Sequence, residues 1–299
     1  MVRRRRGVAA GMSALSISVV IPTADRPDYL VEAVESALAQ SAGVLEVIVI
    51  DDASRVDPAP VLTRFGDKVR YDRLPEKGGA NVARNRGIEL ARGSHVAFLD
   101  DDDIWLPDKV EAQLEAMAGG YEACLCMSQE IGKSRKPAID AREVSQDDLR
   151  RRTPCGTSGL LATREVLNAE RFDPAIPRGQ DWDLFVRLVQ RRPLAFVGRQ
   201  LYLRRTGHDR ITTAAARQTP AELLATGAAI YKHRAWLGEP AFRRRLAKVL
   251  LTFIAQRPAK VRFIAAAIRH AGLRATGLEL LKKSRDRKSE RRRRLGAAR

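Results

Sequence analysis

Residues 17–118 alternate short apolar runs with stretches that are apolar on one helical face only. The first run, Ile-Ser-Val-Val-Ile-Pro at 17–22, predicts a buried strand closed by proline. Pro27 then suits the first turn of a helix, in which Leu30, Val31, Val34, Ala37 and Leu38 recur at the spacing of one face. Residues 44–50, rich in β-branched side chains, predict a second strand buried on both sides, and 69–74 a weaker third. A helix over 81–91, stopped at Gly93, leads to a fourth strand at 96–99 and then to four consecutive aspartates. Pro107 opens the next helix, which runs through Ala118.

Strands that alternate with helices in this way predict an α/β fold: a doubly wound, mainly parallel central sheet with helices on both faces. Beyond Tyr121 the pattern loosens into short strands and loops. One clear helix returns from about Asp181, with Leu184, Phe185, Leu188 and Val189 inward and Pro193 at its end, followed by a strand-like segment at 195–203. After about Ala214 the chain becomes rich in Ala and Arg, with breaks at 238–240 and at Pro258, which predicts a C-terminal α-helical extension. The expected organisation is a basic disordered tail over 1–15, an α/β domain over 16–213, and a basic helical region over 214–299 with a disordered end. There is no internal repeat.

Composition narrows the partners. The longest apolar stretches, 249–255 and 263–268, are interrupted by Arg257, Lys260, Arg262 and Arg269 before they could span a bilayer, so no transmembrane helix is predicted. Residues 3–6 are all Arg, but the Gly, Ala, Ser and Met that follow do not form a secretory core. Cys124, Cys126 and Cys155 are an odd set without CxxC spacing, which suggests buried thiols in a reducing compartment rather than disulfides or a zinc site. Lys and Arg outnumber Asp and Glu by 54 to 36, and the excess gathers at the two ends of the chain. The last block, with Lys282, Lys283, Arg285, Arg287, Lys288 and the four arginines at 291–294, suits either an anionic surface or a solvated helix end without a partner.

Ligands of doubly wound sheets bind at the carboxyl ends of the strands, and two predicted strands end directly in acids: Asp51 and Asp52 after the second, Asp100, Asp101, Asp102 and Asp103 after the fourth. Four adjacent carboxylates repel one another, so a folded site that keeps several ionised calls for a cation, and an all-oxygen set points to Mn²⁺ or Mg²⁺. The alternative is an acidic turn that caps the following helix. GxxxxGK[ST] and GxGxxG are both missing; Gly78 and Gly79 are a bare pair. A bound diphosphate would therefore need the metal and basic side chains, for which Lys77, Arg84 and Arg86 lie in the right stretch. Asp181 and Asp183 sit in the first turn of their helix, where capping is the ordinary role; Asp181 is also a candidate general base. His208 follows the last strand-like segment and the pair Arg204 and Arg205.

Taken in order, these segments resemble the large family of inverting glycosyltransferases with the GT-A fold, commonly called family 2. The likeness runs through Ser18-Val-Val-Ile-Pro-Thr, the Arg26-Pro-x-x-Leu helix ending at Gln40, Glu46-Val-Ile-Val-Ile-Asp-Asp-Ala-Ser, Ala83-Arg-Asn-Arg-Gly-Ile and Val96-Ala-Phe-Leu-Asp-Asp-Asp-Asp-Ile-Trp-Leu-Pro-Asp-Lys. It continues at Thr157-Ser, Phe172-Asp, Gln180-Asp-Trp-Asp-Leu and Leu201-Tyr-Leu-Arg-Arg before His208. The resemblance implies a nucleotide-sugar site formed by Pro22, Thr23, Asp25, Asp51, Asp52, Arg84, Asp100 and Asp101, with Asp52 on the base. Asp100 and Asp102 match the family's DxD motif, whose last aspartate is the main metal ligand; His208 can join it. Asp181 matches the catalytic base.

Three positions depart from the family pattern: Ala24 stands in place of a common aromatic, Asp25 in place of Asn, and Gln180 in place of Glu, which leaves Asp181 without its usual like-charged neighbour. The resemblance implies transfer from a nucleotide diphosphate sugar, expected to be a UDP-sugar, to a hydroxyl of a saccharide or lipid-linked acceptor. That fits a cytoplasmic protein in peripheral contact with an anionic membrane face. A non-catalytic polybasic protein that binds nucleotide or nucleic acid is the alternative. Against it, the basic blocks lie outside the motif-bearing segment and lack the interleaved aromatics on which single strands stack.

Overall fold

The computed structural model describes residues 15–134, 137–206 and 216–296, with side chains through 286 in the last helix. Two compact units divide the chain: residues 1–174 with 181–207, and residues 175–180 with 208–299.

The first unit is built on a nine-stranded sheet. Its elements run β1 (Ile17–Thr23), α1 (Pro27–Leu38), β2 (Val44–Asp51), α2 (Ala59–Leu62), β3 (Val69–Arg73), α3 (Ala80–Leu90), β4 (His95–Phe98), β5 (Asp103–Trp105) and α4 (Lys109–Met117). They continue with β6 (Ala123–Glu130), β7 (Glu143–Val144), α5 (Gln146–Arg151), β8 (Leu160–Thr163), α6 (Arg164–Ala169), α7 (Gln180–Arg191) and β9 (Leu194–Arg204). The sheet order is β3-β2-β1-β4-β8-β6-β9-β5, with β7 also on β9.

The α/β sheet expected from the sequence is present, and β3, β2, β1 and β4 are parallel as predicted. Every residue of β1 and β4 is buried, which is why both read as continuous apolar runs without alternation. After β1 the chain steps outward to β2 and β3, then returns to place β4 on the other side of β1. Right-handed crossovers in opposite directions put α1 and α3 on opposite faces, and they make the junction of β1 and β4 the point where the winding reverses. α3 lies so close to β1 that a Cβ at Gly87 would sit 2.2 Å from Val20 Cγ1. Beyond β4 the sheet is mixed: β8 is antiparallel to β4 and β6, β6 is parallel to β9, and β5 is antiparallel to β9.

The helix predicted from Pro107 begins at Lys109, after Pro107 and Asp108 form a turn. Lys109 is fully buried; its Nζ donates to Gln113 Oε1 at 2.7 Å and lies 3.9 Å from the centre of the Trp105 ring. Cys124, Cys126 and Cys155, all free and buried as expected, are nearby. Burial pushes the Lys109 ammonium down to about 8. The unfolded chain then holds a proton that the folded chain has lost between about pH 8 and the ordinary lysine value, so stability rises with pH across that window. The cost of charging Lys109, on the order of 3 kcal/mol, is fully present below pH 8. In denaturant melts, wild type is therefore expected to gain stability over Lys109→Met between about pH 8 and 10; parallel pH profiles would refute this.

The second unit contains the described helices α8 (Pro220–Ala225), α9 (Ala228–Lys232), α10 (Arg234–Leu250), α11 (Lys260–Ala271) and α12 (Leu273–Gly296). α10 kinks at Gly238 (φ 69°), at the break expected over 238–240. Leu237, Phe242, Leu246, Leu250, Phe263 and Ala267 are buried between the helices. Arg257, only 5% exposed, stacks 3.9 Å from the Phe263 ring centre and donates to the carbonyls of Thr252, Ala216 and Gln218. α12 runs to Gly296, and Arg, Lys and Leu, which fill much of it, are good helix formers.

Candidate active site

At the reversal point, β1 ends in Thr23 and β4 leads into the aspartates. The Thr23 hydroxyl donates to Asp101 Oδ2 at 2.9 Å, tying the two strand ends together. Arg26, just before α1, places its Nη1 2.9 Å from Asp101 Oδ1 and 3.3 Å from Asp102 Oδ2. Burial, opposed by Arg26 and Thr23, pushes the Asp101 carboxyl up to about 6.

The four aspartates do not act as one group, because the chain turns within them and Asp103 already belongs to β5, opposite Arg204 of β9. Asp101 faces the β1 end. Asp100, Asp102 and Asp103 each offer a carboxylate oxygen, and the three lie within 4.8 Å of one another. Three hard oxygen donors in that space fit a small divalent ion that completes its shell with water and phosphate. Asp103 was not among the predicted site residues, although its place in the run was a signal. Ser158 orders the triad: its hydroxyl accepts from the Asp100 amide at 3.1 Å and donates to Asp103 Oδ2 at 2.7 Å, while its carbonyl accepts from the Trp105 indole at 3.0 Å. The sequence signal for Ser158 was the Thr157-Ser pair.

Arg84, 4% exposed, reaches out of α3 to Asp100 Oδ1 at 2.7 Å. Its guanidinium is 5.3 Å from the centre of the Phe172 ring, which in turn meets Phe98 of β4 edge-on at 5.2 Å. Packing thus aims a permanent positive charge at the acids.

Asp181, in the first turn of α7, is close enough to this group to feel Asp100 and Arg84. Burial and then the Asp100 charge raise its carboxyl above the ordinary value; the Trp182 amide, donating to Asp181 Oδ1 at 2.7 Å, and Arg84 oppose the rise. With Gln180 uncharged, the like charge beside Asp181 comes from Asp100. Asp183 is buried and pairs with Arg187 at 3.0 Å. His208 lies outside the described residues.

The loop after β2 forms a second wall. Asp52 Oδ1 accepts from the Gly78 and Gly79 amides at 2.7 and 3.0 Å, and its own amide donates to the Thr23 carbonyl at 2.9 Å. The bare glycine pair is therefore the partner of Asp52, and Gly79 (φ 83°) provides the left-handed turn that opens α3. Asp25, itself left-handed at φ 57°, accepts from the Arg55 amide at 2.7 Å and from Lys77 at 3.0 Å, which hold its carboxyl down at about 2. Pro22 lies buried in β1, opposite Ile50. Asp51 is turned into the loop. It is 0% exposed, and its oxygens are taken by the Ser54 amide and hydroxyl, the Tyr71 hydroxyl and Arg73. It holds the loop in shape, because a carboxylate at the inner end of a buried strand has to be neutralised from within.

An open α/β sheet with acids gathered at its reversal point is the architecture of the GT-A class. TarS from S. aureus, solved in complex with UDP-GlcNAc, superposes with a TM-score of 0.65 at 17% identity, covering 87% of this chain and 83% of that one. The mannosyltransferase PcManGT from Pyrobaculum calidifontis, in complex with GDP-Man and Mn²⁺, gives 0.57 at 17% identity, over 90% and 79%. The profile described as Glycosyl transferase family 2 matches residues 18–162. The putative teichuronic acid biosynthesis glycosyltransferase TuaG of Bacillus subtilis is 33% identical over 184 residues, 58% of this chain and 72% of TuaG. The succinoglycan biosynthesis protein ExoO of Rhizobium meliloti is 39% identical over 187 residues, 56% and 54% of the two chains. The chain belongs to glycosyl transferase family 2. An uncharacterized glycosyltransferase of Rickettsia conorii is 32% identical over 199 residues, and the match spans only 32% of that longer protein.

Proposed function

We propose that the chain is a metal-dependent, inverting glycosyltransferase. It transfers a sugar from a nucleotide diphosphate carrier, a UDP-sugar, to a hydroxyl of a saccharide or lipid-linked acceptor in cell-envelope polysaccharide assembly. The single observation that carries this reading is the gathering of carboxylate oxygens of Asp100, Asp102 and Asp103 within 4.8 Å of one another at the sheet's reversal, with Asp100 in electrostatic reach of Asp181. The names of TuaG and ExoO support the product class. The nucleotide complexes of TarS and PcManGT support the donor class.

In this mechanism the loops that carry Asp25, Asp52 and Gly79 receive the base and ribose, with Asp52 on the base. Asp102, with Asp100 and Asp103 in reach and His208 as a further candidate ligand, would hold Mn²⁺ or Mg²⁺, which when bound would supply positive charge to the leaving diphosphate. Arg26 and Arg84 add fixed charge on either side of the acids. Asp181 takes the acceptor hydroxyl proton at Oδ2, Oδ1 being held by the Trp182 amide. The acceptor oxygen bonds to the anomeric carbon from the face opposite the diphosphate, and the carbon–oxygen bond to the diphosphate breaks with its electron pair. The burial that raises the Asp181 carboxyl makes it a stronger base than a solvated aspartate. A lipid-linked acceptor would bring the chain to the cytoplasmic face of a membrane as a peripheral protein.

Nucleotide release from a panel of sugar donors, with Mn²⁺ and with a chelator, tests the reading. One donor class is expected to turn over only with the metal. Release that ignores the chelator, or binding of no nucleotide sugar, would overturn it.

A further inference from the structure

The second unit has helices with two unlike faces. On α11 the inner face is Phe263, Ala267 and Ala271, all buried. On another face stand Val261, 79% exposed, and Ile268, 39% exposed, seven residues apart and so one above the other. On α12 the inner positions are Thr276 and Glu279, whereas Leu273, Leu278 and Leu281 are 71%, 55% and 60% exposed. Leu278 and Leu281 share one stripe with Arg274 and Arg285, at steps of four, three and four residues. α11 and α12 pack against each other. Their exposed cations include Lys260, Arg262, Arg269, Arg274, Lys282 and Arg285. α11 contains no acid; in α12 Glu279 is turned inward and paired with Lys283 at 3.5 Å, and Asp286, beside Arg285, is exposed, so the cations still outnumber the outward acid.

Five outward aliphatic side chains among arginines are not needed to hold the helices together, since a separate buried face does that. Their exposure to water is unfavourable and calls for a cover. The arrangement matches an interfacial helix, whose aliphatic side chains enter the acyl boundary while arginine stems lie along it and reach back to phosphates. Nucleic acid would use the cations but not the aliphatics. Among the described residues of α11 and α12, the one Phe, Tyr or Trp, Phe263, is buried, and the exposed His270 stands alone, so there is no row of rings on which successive bases could stack. No helix among the described residues is long and apolar enough to cross a membrane, so the contact lies in the interface plane.

We propose that the outer faces of α11 and α12, through Val261, Ile268, Leu273, Leu278 and Leu281 with their flanking arginines, form a docking surface for an anionic phospholipid bilayer. This deepens the acceptor reading above and rests on it for its purpose; its test reads binding alone, so loss of either leaves the other standing. The full chain is floated with phosphatidylcholine vesicles and with vesicles containing about 30% phosphatidylglycerol. It is expected to bind the anionic vesicles at least tenfold better. The triple variant Val261→Gln, Leu278→Gln, Leu281→Gln keeps its helix content by circular dichroism, because all three side chains are exposed, and is expected to lose about tenfold or more of that binding with every charge retained. Arg274→Gln with Arg285→Gln is expected to remove the preference for anionic lipid. Undiminished vesicle binding by the triple variant would overturn the surface. So would an oligonucleotide that displaces the vesicles and binds the triple variant as tightly as wild type, which would make the basic helices a nucleic-acid site.

Discussion

Asp181→Asn is expected to lower kcat for sugar transfer by about 10²–10⁴-fold while leaving nucleotide binding within about twofold of wild type. The substitution keeps the side chain's shape and its capacity to accept the Trp182 amide, and removes only the ability to accept the acceptor's proton. The pH profile provides a second check. A base whose carboxyl is raised by burial and by Asp100 must still be ionised to act, so kcat/KM falls on the acid side above the range of a free aspartate. Asp181→Asn removes that limb from whatever activity remains. Near-normal transfer by the purified variant would show that another group takes the proton.

Asp102→Asn and Arg26→Gln are expected to move Mn²⁺ affinity in opposite directions. Asp102 belongs to the triad, and its loss removes a charged oxygen ligand; affinity by calorimetry should fall by about 100-fold or more, since even outer partners of metal ligands are worth about 10–100-fold. Transfer should fall with it by about 10²–10³-fold, the few kcal/mol that such an ion supplies at a leaving phosphate. Arg26 holds Asp102 at 3.3 Å and Asp101 at 2.9 Å, so its guanidinium and a cation compete for the same carboxylate. Its replacement by Gln should tighten Mn²⁺ about tenfold, the scale of one charge-assisted hydrogen bond, and should raise the KM for the donor, whose diphosphate loses a cation. Equal Mn²⁺ binding by wild type and Asp102→Asn would remove Asp102 from the metal site, whatever the activity did.

Adjacent residues in this chain have different fates, and sequence spacing does not sort them. Asp100, Asp102 and Asp103 converge while Asp101 turns to Thr23 and Arg26, because the chain reverses between β4 and β5 and successive side chains point different ways. Asp51 and Asp52 were indistinguishable as a strand-end pair. One is sealed by Ser54, Tyr71 and Arg73; the other meets the amides at the start of α3. Arg26 and Ser158 lay within recognisable segments but gained roles only from neighbours 75 and 55 residues away.

The sequence by itself determined the parallel strands β1, β2 and β4, their helices, and the presence of acids at strand ends. Runs of β-branched residues buried on both faces and one-sided helical periodicity are local properties, legible wherever the chain is read. Only the tertiary structure decided the mixed half of the sheet, the membership of the acid triad, the interlocking of Asp25, Asp52 and Gly79, and the rise of the Asp181 carboxyl. Each of those depends on desolvation and on partners far along the chain, which no local pattern encodes.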